Sequence, residues 1–80
     1  MKPFDDVLEI RTSGKNIQLR SKIPIPRCWI KISDPAGKIV FKKIEHDLTE
    51  KTIVLNLKGG LYDITIVTEK YFTASKVFLE

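Results

Sequence analysis

His46 is the only histidine and Cys28 the only cysteine of this 80-residue chain, and together they bound the chemistry it could carry. A metal centre would have to be assembled from His46 and the carboxylates Glu45, Asp47 and Glu50, with no second imidazole or thiolate nearby in sequence. Neighbours in one short stretch rarely converge on a single ion, and zinc sites draw on more nitrogen and sulfur than this. The plainer reading of His46 is a solvated residue in a polar loop over residues 45–51, with one helical turn at most. A serine nucleophile would need the same histidine as its base, and no Gly-x-Ser-x-Gly turn is present. Gly14 and Gly59-Gly60 precede no helical pattern, so they read as turn glycines rather than as a phosphate cradle. No catalytic residue, metal or cofactor is expected.

A lone thiol forms no internal disulfide, and Cys28 is read as a small core hydrophobe on a strand. Binding chemistry is better represented. Lys and Arg outnumber Asp and Glu by 14 to 10, a net +4. Residues 11–43 hold nine basic residues against one acid, Asp34, which makes that segment +8 and the remainder −4. Such a segment can form a positive face for nucleic acid, anionic polysaccharide or lipid headgroups, or it can be the ordinary solvated, aggregation-resistant face of strands. Within it, Arg20, Lys22, Arg27, Trp29 and Lys31 are the candidate binding residues. Trp29 and Lys31 fall on the strand face opposite Cys28, Ile30 and Ile32. There Trp29 either packs under the Pro-rich stretch that precedes it or marks a contact surface, and Tyr71 with Phe72 forms a second candidate aromatic patch.

The elements that must position these residues read as strands. Residues 7–11 and 16–21 alternate apolar and polar types around a turn at Gly14 and form an opening hairpin. Ile23-Pro24-Ile25-Pro26 loses two ladder donors and reads as a connection or an edge, where the chain changes sheets. Residues 28–32 and 38–44 form a hairpin closed by Ser33-Asp34-Pro35-Ala36-Gly37-Lys38, with Pro35 at the first central position and Gly37 left-handed. Residues 53–57, 62–66 and 72–79 complete the set, the last carrying a bulge between Ala74 and Val77. Seven short strands at regular spacing predict an all-β, seven-stranded antiparallel sandwich of immunoglobulin-like type, a single domain over residues 1–80.

A chain this short hides only about 60% of its unfolded surface, which leaves little room for a deep catalytic cleft. No stretch approaches the roughly 20 apolar residues that span a bilayer, and Met1-Lys2-Pro3-Phe4-Asp5-Asp6 is not a signal peptide. The Asp5-Asp6 pair is expected to be solvated ahead of the first strand.

Three motifs resemble the small immunoglobulin-like domains of Bacteroidota exported proteins, especially the C-terminal sorting domains of the type IX secretion system. The first is Ile30-Lys31-Ile32-Ser33-Asp34-Pro35-Ala36-Gly37-Lys38-Ile39-Val40, like that family's strand, Asp-x-x-Gly-Lys turn and return strand. Leu57-Lys58-Gly59-Gly60-Leu61-Tyr62-Asp63-Ile64 is like its Leu-x-x-Gly-x-Tyr strand start, and Lys76-Val77-Phe78-Leu79 like the end of its last strand. The family's early Pro-Asn-Pro element has only Ile23-Pro24-Ile25-Pro26 as an echo. Stand-alone small sandwich proteins of the same bacterial group resemble the chain equally well. The resemblance implies a non-enzymatic binding, anchoring or sorting module of an exported or envelope protein. It places the chain in the periplasm, at the cell surface or in the medium if a targeting segment has been removed, and in the cytoplasm otherwise. Expected partners are another protein or an envelope component, with self-association through an edge strand as a further route. The alternative is an intracellular β-barrel that binds polyanions or oligonucleotides through residues 11–43.

Overall fold

A computed structural model describes residues 2–3 and 7–80; the Asp5-Asp6 pair lies outside them. Six strands share one hydrogen-bonded sheet: β1 (Lys2–Pro3), β2 (Leu8–Ser13), β3 (Asn16–Ser33), β4 (Ile39–Val54), β5 (Gly60–Val67) and β6 (Tyr71–Leu79). All pairings are antiparallel except the two-residue contact of β1 with β6. The all-β antiparallel class is therefore as the alternation predicts. The strand count is not. Residues 23–26, expected as a connection or an edge where the chain changes sheets, are strand with one open edge and stay in the same sheet. Residues 45–51, expected as a loop, are strand, so the predicted seven short strands become five long ones and the short β1.

The two longest strands explain the shape. The first part of β3 lies between β2 and the end of β4, and the last part lies between β5 and the start of β4. β4 thus runs along one edge of β3 throughout, while β2 and β5 occupy the other edge at different heights. Between the pairs Arg20↔Glu50 and Ile25↔Leu48, β3 advances five residues and β4 two, a bulge that bends the ladder. Ser21 Oγ–H donates to the Ile23 carbonyl within the bulge. The inward parity changes here in both strands, between Ile25 and Cys28 in β3 and between Leu48 and Glu45 in β4. Asp47 takes a positive φ of 52° at this corner. The prolines are tolerated because residues 22–28 of β3 have no strand on the β2/β5 edge, so no ladder donor is missed there.

Curling brings the buried side chains of both arms to one core. Ile17 and Leu19 from one arm meet Cys28, Ile30, Ile32, Ile64, Ile66 and Leu79 from the other. The sheet curls far enough for the Glu80 N–H to donate to the Gly14 carbonyl at 3.0 Å, next to the β2–β3 turn. Close approach explains one glycine: a Cβ on Gly59 would lie 2.9 Å from the Glu80 carbonyl carbon. The predicted turn before β4 is present. The Gly37 N–H donates to the Asp34 carbonyl, and Asp34 Oδ1 accepts from the N–H of Ala36 at 3.0 Å and of Lys38 at 2.9 Å. Gly37 has φ 87°, a conformation glycine adopts without steric cost. Tyr62 is buried, and its hydroxyl donates to the Lys58 carbonyl at 2.6 Å, tying the Leu-x-x-Gly-x-Tyr segment to itself.

Candidate functional site

The outer face of the arm formed by the start of β4, the end of β3, β5 and β6 carries the most distinctive surface. Cross-strand registers set Ile44 opposite Trp29, Trp29 opposite Val67 and Val67 opposite Phe72. One apolar row thus crosses four strands on the solvent side, with Ile44 42% and Phe72 39% exposed and Trp29 and Val67 half-buried. The next row is Lys42, Lys31, Thr65 and Ala74. Beyond it Lys76 Nζ lies 2.9 Å from Asp63 Oδ1, and Leu61 and Phe78 face each other, both exposed.

At the corner end of this face, Trp29 walls a groove of about 380 Å³ together with Ile23, Pro24, Pro26, Arg27 and Tyr71. The groove follows from the topology. β2 stops pairing at Ser21 and β5 begins at Trp29, so the β3 bulge stands without a neighbour and the β5–β6 turn closes the far side. That turn is stiffened by Thr68, whose Oγ1 accepts from the N–H of Tyr71 at 2.9 Å and of Lys70 at 3.2 Å. The Arg27 guanidinium sits 4.8 Å above the Trp29 ring centroid, a cation–π contact that fixes both side chains. Trp29 therefore both packs beside the Pro-rich bulge and remains half open.

Of the five candidate residues, three come together: Arg27, Trp29 and Lys31 lie on this outer face. Arg20 belongs to the other arm, where its guanidinium is 3.9 Å from Glu50 Oε1 and both side chains are exposed. Lys22 is in the bulge, its backbone N–H bonded to the Val7 carbonyl at 2.9 Å, and it does not line the groove. The basic segment does not make one positive face. Arg11 pairs with Glu9, and Lys43 turns to the inner side. Sequence reasoning marked Tyr71 and Phe72 but missed Ile44 and Val67; alternation placed Ile44 in a strand and ended the next one short of Val67, and only the cross-strand register aligns them with Trp29.

The titratable groups turned inward serve the corner. Glu45 Oε1 lies 2.8 Å from Lys51 Nζ and 3.1 Å from Lys43 Nζ, joining the two halves of the bent β4. Lys51 first, then Lys43, hold the Glu45 carboxyl below its usual range, and Glu45 in turn raises Lys51. Cys28 is fully buried; burial foremost and the Glu45 charge second push its thiol up, away from the reactive thiolate. His46, on β4 opposite Arg27, is exposed. No group of three His, Cys, Asp or Glu side chains among the described residues is placed to hold a metal ion.

No curated protein matches the chain. The family model described as the secretion system C-terminal sorting domain matches residues 2–80, and the chain belongs to that family, the type IX sorting domains that its turn and tyrosine motifs resemble.

Proposed function

We propose that residues 1–80 act as one sorting domain whose readable surface is the outer face around Trp29. Membership of a family of sorting signals, which is not an enzyme family, supports recognition as the task. Its partner is then a protein of the export machinery or the envelope. The observation that carries this reading is the apolar row from Ile44 through Trp29 and Val67 to Phe72 on a solvent-facing sheet surface, continuous with the groove at the corner. Apolar residues aligned on the outer side of a small domain cost solubility and are characteristic of contact surfaces. Two sheet arms enclosing one core support an immunoglobulin-like reading of the fold, with strand faces and loops as the recognition elements. Family membership favours this role over an intracellular polyanion binder, and export would carry the domain to the envelope or the surface.

The test is to place the chain at the C-terminus of a fluorescent reporter in a bacterium with a type IX secretion system and measure the exported fraction. Trp29→Ala should lower export several-fold while the far-UV circular dichroism of the purified domain stays unchanged. Export of Trp29→Ala and Phe72→Ala reporters at the wild-type level would refute the assignment of this face.

A further inference from the structure

The same outer face carries cations that nothing in the described molecule neutralises. Arg11, Arg20, Lys43, Lys51 and Lys76 each have a carboxylate within 4.0 Å. Lys31 and Lys42 have none among the described residues, although they stand directly opposite each other on neighbouring strands. Like charges in that position repel. An acid at position 65 or 74 in the same row would relieve them, but Thr65 and Ala74 stand there. Two rows away, on the far side of Trp29, Arg27 pairs with no carboxylate among the described residues; it covers the Trp29 ring and borders the groove. Lys70 borders it as well, against a single acid, Glu69.

An apolar groove edged by unpaired cations fits a ligand that brings both an apolar anchor and negative charge. We propose that this face binds an acidic, extended peptide segment of the partner protein, with an apolar side chain in the groove against Trp29 and carboxylates on Arg27, Lys31 and Lys42. The inference rests on the sorting reading above and gives that partner its chemistry. A nucleic acid or polyphosphate chain fits less well. Arg27 occupies one face of the Trp29 ring, where a base would stack, and Asp63 and Glu69 interrupt the positive surface. Carboxylates are also the groups that planar Arg and flanking Lys recognise in short peptide motifs.

The experiment compares Lys31→Glu/Lys42→Glu and Lys31→Arg/Lys42→Arg with Trp29→Ala in the reporter export assay, the folding of each variant checked by thermal unfolding. Charge reversal is expected to cut export about tenfold, since it sets like charges against the partner, while the arginine pair exports normally. If Trp29→Ala blocks export and charge reversal does not, the acidic-segment inference falls and the sorting face stands. If neither variant loses export, both fall. A parallel titration of the purified chain with polyphosphate, read by the fluorescence of the single tryptophan, separates the anion classes. Little binding is expected, whereas tight binding abolished by charge reversal would make this a polyanion site and overturn the peptide assignment.

Discussion

The two arms of the bent sheet share one core but differ in what they show to solvent. On the arm of β2, the start of β3 and the end of β4, charges neutralise each other locally: Arg11 lies 2.6 Å from Glu9 and Arg20 3.9 Å from Glu50. On the arm completed by β5 and β6, Lys76 pairs with Asp63, but an apolar row lies beside Lys31 and Lys42, which have no carboxylate within 4.0 Å among the described residues. The contrast is the basis for the proposal that the second arm, not the first, is the one a partner covers. On the proposed reading, recognition falls to one sheet arm, since the interior of a domain this small is needed for stability.

If the arms depend on one core, damage to either should unfold both. Leu19→Ala in the first arm and Ile64→Ala in the second each remove a fully buried side chain, and each should cost about 2–5 kcal/mol. Urea unfolding followed by tryptophan fluorescence and by circular dichroism should give coincident single transitions; separate transitions would divide the arms into independent units. A smaller loss is expected where the curl closes. Gly59→Ala forces a methyl against the Glu80 backbone and should cost about 1–3 kcal/mol, read as a lowered urea midpoint with unchanged slope.

The corner gives a pH signature. Glu45 is held below its usual range by Lys51 and Lys43, so its contribution is present above the unfolded carboxyl pKa and is lost as pH falls through the lower folded value. Lys51 is raised, so its share is present below the ordinary lysine pKa and is lost as pH climbs through the higher folded one. Glu45→Gln should therefore be less stable than wild type on the neutral plateau, and the gap should close in acid below the usual glutamate range. A gap independent of pH would show that the corner is held by packing alone. The smallest effect belongs to the exposed pair of the first arm, where Arg20→Ala should change stability by less than about 1 kcal/mol in thermal unfolding.

Much of this arrangement is legible in the sequence. Alternation located the buried residues of β5 and the end of β3, and Asp34, Pro35 and Gly37 named the turn from β3 to β4 because each residue type suits its turn position. Residues 23–26 misled because proline ordinarily ends a strand, and here it sits where β3 lacks a neighbour on one edge. Residues 45–51 misled because the unpaired edge of β4 keeps polar residues on both faces, which without pairing information looks like a loop. For the site, Trp29 and Lys31 were readable as alternate residues of one strand, and Arg27 only as a cation of the basic segment ahead of it. Ile44, Val67 and the shape of the groove were not, because they depend on register between strands far apart in sequence and on a bulge whose size no local pattern specifies.

The most direct measurement sets one arm against the other in the reporter export assay. Trp29→Ala/Phe72→Ala on the second arm is compared with Arg20→Ala/Glu50→Ala on the first, all variants confirmed folded. Export lost severalfold in the first pair and kept in the second is the predicted result. Equal loss in both pairs, or loss confined to Arg20→Ala/Glu50→Ala, would contradict a recognition surface placed on the outer face around Trp29.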